Sequence, residues 1–390
     1  MRLGSRRSDA SERLRALLEL PEGPSSHQAL LGALDDRSLE IRRAALSRLA
    51  REGGEPERRE LERRMLDSDV ALVQDYARAI LALGGREAAE RAVRELGPGG
   101  NSRRLAAALA LEVLATDDHA AGLRAALHDR LGGVRAAALR TLARLTRSQT
   151  NLAACAQLLR DPDPSVRAEA VEAVARSGRS SRVLLEPVAF DEDAGVRRAV
   201  ARHASRLAPL DAAALLRDRD PHVREIAAQA AGAGAIGSLG ELLRSEPLPG
   251  VRLAAVKHLG DVDRPAVVTM LIGALADSDS TVRAAALQSL SRRLPRRELL
   301  ERLREALASP KAALRKQALY CLAELRARLA EPTLADELAL DADPDVRIAA
   351  AQSAPTLMRD PHRLLALLEC DSHPAVRSAA AKASQTAGAA

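Results

Sequence analysis

Apolar and polar positions along the chain alternate in blocks of about thirty residues. In residues 264–294, an apolar stretch is followed by the polar segment DSDS and then by a second apolar-rich stretch. In that second stretch the positions −1, +3, +4 and +7 from Arg283 are apolar. This spacing places them on one face of a helix. Each block therefore predicts a first helix (A), a turn and a second helix (B).

An arginine recurs in the first turn of helix B, and it defines twelve blocks. A valine, isoleucine or leucine usually precedes it, and an alanine usually follows three residues later. The arginine positions are Arg42, Arg104, Arg135, Arg167, Arg197, Arg224, Arg252, Arg283, Arg315, Arg347 and Arg377, with Gln74 in the remaining block. One helix pair cannot bury its apolar faces alone, so the pairs must stack on one another.

An acidic residue stands six positions before most of these arginines, in the predicted A–B turn. The residues are Asp36, Asp129, Asp161, Asp191, Asp218, Glu246, Asp277, Asp341 and Asp371. The layout of helix A, acidic turn and V-R-x-A-A start of helix B resembles the HEAT repeat, and its short period is similar to the repeats of the phycobilin-lyase type. The resemblance implies an all-α fold, an α-solenoid (superhelix) of about twelve HEAT-like helix pairs. We expect an N-terminal tail and capping helix in residues 1–24, the solenoid in 25–386 and a C-terminal tail in 387–390.

The position of the arginines needs a physical explanation, because the helix dipole disfavours a cation in the first turn. Stacking brings each turn beside the next, so aspartates and arginines can alternate along a ladder. In the HEAT family such a ladder is structural, and we assign Arg283 to the network of the Asp277 turn. The predicted ladder comprises Asp161, Arg167, Asp191, Arg197, Asp218, Arg224, Asp277, Arg283, Asp341, Arg347, Asp371 and Arg377.

The composition narrows the class of protein further. Aromatic residues make up 1% of the chain, so alanine and leucine must fill the interior of closely packed helices. The three cysteines are widely separated, which is typical of reduced thiols in a cytoplasmic protein. We see no signal peptide and no apolar stretch long enough to span a membrane.

Basic side chains concentrate in the middle of the chain, where residues 135–330 hold ten more basic than acidic residues. On helix B, positions +1, +5 and +9 point away from the core. Cations at these positions form the candidate partner-binding set: Arg140, Arg144, Arg176, Arg198, Arg202, Arg206, Lys257 and Arg292. This set predicts a groove for an acidic protein segment or for a nucleic-acid backbone. The alternative is a solvated face that reflects an arginine-rich composition.

No catalytic, cofactor-binding or metal-binding residue is predicted. The segment GAGAIG at 232–237 follows a predicted helix B, whereas a phosphate-binding loop must follow a strand, so it predicts a helix stop and a turn. The eight histidines lack the spacing of a helical metal pair. The chain also lacks the His-Glu dipeptides of the HEAT-fold deoxyhypusine hydroxylases and the aromatic residues of the HEAT-fold DNA glycosylases.

These observations favour a non-enzymatic scaffold or adaptor that binds a protein partner on a concave face lined by the B helices. That inference rests on the fold resemblance. Two alternatives stay open, namely backbone-directed binding of nucleic acid and a phycobilin-lyase-like subunit. The sequence does not identify the partner or the oligomeric state.

Overall fold

The computed structural model describes residues 9–145, 148–176, 181–327 and 332–387. These residues contain 25 α-helices joined by turns and short 3-10 segments, with no β-strand among them. The prediction of an all-α fold built from helix pairs is confirmed.

The helices form twelve A–B pairs, and one further helix, α1 (Ala10–Leu18), precedes them. The A helices are α2 (Pro24–Ala33), α4 (Glu55–Met65), α6 (Ala88–Glu95), α8 (Ala120–Ala126), α10 (Gln149–Gln157), α12 (Ser181–Leu185), α14 (Pro209–Leu215), α16 (Ile236–Ser245), α18 (Pro265–Ala274), α20 (Arg296–Leu307), α22 (Pro332–Ala339) and α24 (His362–Glu369). The B helices are α3 (Leu39–Glu52), α5 (Val73–Ala82), α7 (Asn101–Leu114), α9 (Gly132–Arg144), α11 (Pro164–Ala175), α13 (Ala194–Ala201), α15 (Pro221–Gln229), α17 (Pro249–Asp261), α19 (Ser280–Arg293), α21 (Ala312–Glu324), α23 (Pro344–Leu357) and α25 (Pro374–Ala387).

The chain divides into two compact units, Met1–Val200 and Ala201–Ala390. In the N-terminal unit, the B helices α3, α5, α7, α9 and α11 form a series in which each packs against its neighbours. In the C-terminal unit, α15, α17 and α19 form one such series, and α21, α23 and α25 form another. Helices α19 and α21 lack the extensive packing that joins the other B helices within each series.

Small and branched aliphatic side chains build the core of each unit. The alanine three residues after the repeat arginine is fully buried in most pairs, as at Ala138, Ala170 and Ala286. The valine before the arginine is buried as well, as at Val166 and Val282. A methyl group at the helix contact lets neighbouring B helices approach closely, which explains why the sequence repeats alanine there.

The A–B turns set the start of each B helix. Asp163, Asp220, Asp279 and Asp343 are N-cap residues whose carboxylates accept backbone N–H groups of the first turn. A proline follows three of these aspartates, at a position where a helix needs no N–H donor. Residues 232–237 form a short 3-10 segment, Ala233–Ala235, that leads into α16. Across the described residues, no helix combines the length and the apolar character needed to cross a membrane.

Candidate binding surface and the arginine ladder

The repeat arginine connects its own A–B turn to the turn of the following pair. Arg167 shows the arrangement, because its Nη1 donates to the carbonyl oxygen of Asp161 at 2.9 Å. Its Nε and Nη2 donate to the two carboxylate oxygens of Asp191, each at 2.8 Å. One guanidinium therefore holds its own turn through the backbone and the next turn through a bidentate ion pair.

The same bidentate contact recurs along both units, with donor–acceptor distances of 2.6–3.3 Å. The additional pairs are Arg104–Asp129, Arg135–Asp161, Arg224–Glu246, Arg252–Asp277, Arg315–Asp341 and Arg347–Asp371. Each carboxylate thus pairs with the arginine of the preceding block. Arg197, in the last helix of the N-terminal unit, donates to the carbonyl oxygens of Asp191 and Glu192 at 2.8 and 3.0 Å. Arg377 likewise donates to the carbonyl oxygen of Asp371 at 2.7 Å.

Each acidic residue also stabilises its own turn. A carboxylate oxygen of Asp277 accepts the backbone N–H of Asp279 at 2.8 Å, and Asp218 accepts that of Asp220 at 2.8 Å. The hydrogen bond from Arg224 lowers the pKa of Glu246, although burial opposes the shift. The hydrogen bond from Arg347 lowers the pKa of Asp371 in the same way. The charged form of these carboxylates is therefore the stabilised one.

Arg283 departs from this arrangement. Its Nη1 donates to the carbonyl oxygens of Asp277 and Ser278 at 2.8 and 2.9 Å, so its own turn is held in the usual way. The following block, however, has Ser309 at the position that is acidic in nine of the twelve blocks. No carboxylate among the described residues pairs with Arg283, because the Asp277 carboxylate is taken by Arg252. The expected Arg283–Asp277 contact therefore runs to the backbone oxygen only.

The ladder also begins one helix earlier than the sequence pattern predicts. In α1, Arg13 donates from Nε and Nη2 to the Asp36 carboxylate at 2.9 and 3.1 Å. Helix α1 packs against α3 in the way that one B helix packs against the next. The end of α1 is fixed by Arg48, whose Nη1 donates to the carbonyl oxygens of Leu17 and Leu20 at 2.9 and 3.1 Å. The sequence does contain one feature that indicates this additional position, because an alanine follows Arg13 by three residues, as in the later blocks.

On the exposed side of the B helices, the candidate cations of the N-terminal unit have different surroundings. Arg140 lies between two carboxylates, with its Nη2 at 2.6 Å from Glu112 and its Nη1 at 3.0 Å from Glu169. Arg144 is exposed, and its Nη2 donates to a backbone oxygen of Ala115 at 3.1 Å. Arg176 is exposed at the end of α11, and Arg198 is half-buried. Among the described residues, no carboxylate pairs with Arg144, Arg176 or Arg198.

The other four candidate cations lie in the C-terminal unit, so the predicted partner-binding set is distributed over both units. Arg202, Arg206 and Lys257 are exposed. Lys257 lies in a groove between α15 and α17, with Glu225, Gln229, His258 and Asp261 also in its lining. The Nη2 of Arg292 is 4.0 Å from a carboxylate oxygen of Asp261. The surface around Lys257 therefore has mixed charge.

Histidine, cysteine and acidic side chains are candidate metal ligands or nucleophiles within the residues that the structure describes. No group of three or more histidine, cysteine or acidic side chains is placed to hold a metal ion in this part of the chain. Burial raises the pKa of the Cys155 and Cys321 thiols to about 11, which makes them weak nucleophiles at neutral pH. Cys370 is exposed.

The helix pairs and the contacts between their turns define an α-helical repeat protein. The family model for HEAT repeats matches residues 120–206, 151–233 and 236–323, which together span just over half of the sequence. The chain belongs to the HEAT-repeat family. No curated protein sequence matches it.

Several solved structures of repeat proteins are similar to the chain. A leucine-rich repeat variant with a novel repetitive motif is 28% identical over 66% of this chain and 90% of that chain, with a TM-score of 0.40. Kap95p, solved with RanGDP, is 12% identical over 99% of this chain and 61% of that chain, with a TM-score of 0.45. YIBA of E. coli is 19% identical over 82% of this chain and 98% of that chain, with a TM-score of 0.34.

Proposed function

We propose that this protein is a non-enzymatic HEAT-repeat scaffold that binds an acidic segment of a protein partner on the exposed side of its B helices. The observation that carries the proposal is the pair Arg144 and Arg176. Both occupy the +9 position, at the C-terminal ends of α9 and α11, which pack against each other. Both are exposed, and neither has a carboxylate partner among the described residues.

The ladder supports this proposal because it separates two kinds of arginine. Arg135 and Arg167 are buried and neutralised by carboxylates of the next turn. Their neighbours at +9 on the same two helices present their charge to solvent. Solvent-exposed cations on adjacent helices attract an anionic partner over several ångströms, and salt weakens that attraction.

A protein partner is favoured over nucleic acid by the chemistry of the chain. Binding of single-stranded nucleic acid usually uses aromatic side chains on which bases stack. The chain has one phenylalanine, two tyrosines and no tryptophan. Tyr76 is buried, and the hydroxyl of Tyr320 donates to the amide oxygen of Gln352 at 2.8 Å. A phosphate backbone is the second ligand that the same cations would accept.

The test compares Arg144→Glu/Arg176→Glu with Arg59→Glu/Arg297→Glu, a pair that removes the same charge from the A helices α4 and α20. Arg59 and Arg297 have side-chain exposures of 73% and 92%. The probes are a fluorescent peptide of about ten glutamates and a random DNA duplex of about twenty base pairs. We expect peptide affinity to fall as salt rises from about 50 to 200 mM, and to fall about tenfold in the first variant only.

Four results would overturn the proposal. Equal loss in both variants would show a response to net charge, and no loss in either would leave the surface merely solvated. Stronger, salt-dependent binding of the DNA, lost in the first variant, would assign the surface to nucleic acid instead. A change in the absorption spectrum of an added bilin would point to the lyase-like alternative.

A further inference from the structure

The boundary between the ninth and tenth helix pairs lacks the ion pair that joins other neighbouring pairs of the C-terminal unit. Arg252 and Arg283 are equivalent residues in consecutive B helices. Arg252 anchors its Nη1 on the carbonyl oxygens of Glu246 and Pro247 at 2.9 and 3.0 Å. Arg283 anchors its Nη1 on the corresponding oxygens at 2.8 and 2.9 Å. The two guanidinium groups are therefore held in the same way by their own turns.

The difference lies at the opposite edge of the guanidinium. In Arg252, Nε and Nη2 each donate to the Asp277 carboxylate at 2.7 Å. In Arg283, Nε and Nη2 have no carboxylate partner among the described residues, and the following turn has Ser309 at the usually acidic position. The Ser309 hydroxyl accepts the backbone N–H of Lys311 at 3.2 Å, and its carbonyl oxygen accepts Nη1 of Arg315 at 2.8 Å. The tenth turn thus keeps its own contacts and lacks only the carboxylate.

The side chains around this edge are more open than at the preceding boundary. At position +4 of the B helix, Val256 in α17 is fully buried, whereas Leu287 in α19 is half-buried. Arg283 itself is half-buried, and none of its nitrogen atoms is both enclosed and unpartnered. On the A-helix side, a groove between α18 and α20 is lined by Val268, Ile272 and Arg302, among others. The B helices of the ninth and tenth pairs therefore pack less closely than those of the eighth and ninth pairs.

We propose that the Nε and Nη2 edge of Arg283 is a binding site for an aspartate or glutamate side chain of a partner polypeptide. Such a carboxylate would supply the ion pair that Ser309 cannot form. The edge is planar and held by the backbone, so a carboxylate can accept both N–H groups at once. Glu246 fills the equivalent place beside Arg224, with distances of 2.6 and 2.9 Å, so either acidic side chain fits the fork.

The arginines that already have an acidic partner also indicate how a partner polypeptide would present its carboxylate to Arg283. Asp341, which pairs with Arg315, sits in a turn where its carboxylate also accepts the N–H of Asp343 at 2.9 Å. A turn of the form Asp-x-Asp therefore offers a carboxylate that is already oriented. The site lies at the edge formed by the A–B turns and does not depend on the surface of Arg144 and Arg176.

The experiment uses the full chain and a fluorescent peptide with the sequence LDADPDV, which corresponds to Leu340–Val346. A peptide with asparagine in place of its first aspartate is the ligand control. We expect the first peptide to bind at least about tenfold more tightly than the second. Binding should move the NMR signal of the Arg283 Nε–H group, a readout that general charge attraction would not give.

Two variants test the site in different ways. Arg283→Ala should remove the preference for the first peptide, and Ser309→Asp should do so by placing a carboxylate in the site. Ser372→Asp adds the same charge beside the occupied Arg347–Asp371 pair, and it should leave that preference unchanged. Equal binding by the wild type and Arg283→Ala would overturn the proposal. So would retained binding in Ser309→Asp, or an Arg283 signal that does not respond.

Discussion

Two neighbouring boundaries in the C-terminal unit differ at the acidic position of the A–B turn. Between the eighth and ninth pairs, Arg252 holds Asp277 in two hydrogen bonds, and α17 packs closely against α19. Between the ninth and tenth pairs, Ser309 replaces the acidic residue, and α19 does not pack extensively against α21. Since the arginine is anchored to its own turn in both cases, the two boundaries differ in the carboxylate that the next turn offers to this arginine.

The largest expected effect is the loss of an occupied pair. Arg252→Ala should destabilise the protein by about 2–4 kcal/mol, because it leaves the Asp277 carboxylate buried without its partner. The Asp277 side chain is only 7% exposed. Arg283→Ala is the matched control and should cost less than about 1 kcal/mol, since no buried carboxylate is left behind. Urea denaturation of both variants would measure the difference, and equal losses would contradict the comparison.

A smaller gain is expected from supplying the missing carboxylate. Ser309→Asp should raise stability by about 1 kcal/mol at pH 7, because a hydrogen-bonded ion pair replaces a serine contact. Thermal denaturation measures the gain. Ser309→Asn, which is similar in size but uncharged, should give a smaller gain, and a loss of stability in Ser309→Asp would argue that the turn cannot place a carboxylate there.

The pH dependence of that gain follows from the natural pairs. Hydrogen bonding by Arg347 lowers the pKa of Asp371, so the folded protein binds a proton there less readily than the unfolded chain does. Such a carboxylate stabilises the fold above the unfolded pKa of about 4, and the stabilisation disappears as pH falls through the lower folded value. The gain in stability of Ser309→Asp over the wild type should therefore be complete at pH 6 and should disappear in stronger acid. A gain independent of pH would exclude an ion pair.

The rate at which each buried cysteine is alkylated reports how readily the surrounding region opens. Cys370 is exposed and should react with an alkylating reagent at once, whereas Cys155 and Cys321 are enclosed. Cys155 lies in α10 of the N-terminal unit, and Cys321 lies in α21 beside the unfilled boundary. We expect Cys321 to be labelled several-fold faster than Cys155 and to be slowed by Ser309→Asp, because labelling requires local opening. Mass spectrometry of timed samples would show the order, and faster labelling of Cys155 would place the weaker region elsewhere.

The smallest effect concerns the first position of the ladder. Arg13→Ala removes the bidentate contact with Asp36, so the amides of α1 should exchange hydrogen faster while the amides of α3 to α11 keep their rates. Arg15→Ala is the control, because it changes an exposed arginine of the same helix. Exchange measured by mass spectrometry would separate the two. Unchanged exchange in α1 would show that the contact between Arg13 and Asp36 does not limit the opening of this helix.

Much of the fold was predictable from the sequence because the information is local. The apolar spacing of each block determines which face of a helix is buried, and the recurrent alanine determines how closely the helices pack. N-cap aspartates and first-turn prolines likewise act within a few residues of the helix start. The twelve helix pairs follow from these features. The acidic partner of each arginine does not follow from such local features, because Arg224 and Arg135 pair with carboxylates 22 and 26 residues away.

The separation along the chain does not determine which turn an arginine contacts. The stacking of the helix pairs determines it. Stacking gives the Asp277 carboxylate to Arg252 and leaves Arg283 with the backbone oxygens of its own turn. It also places Arg140 between Glu112 and Glu169, although its helical position resembles that of the exposed Arg144. The sequence by itself therefore determined the repeat and the residues that face outward. The tertiary structure decided which charges are neutralised, because an ion pair depends on distances between helices rather than on the period within one.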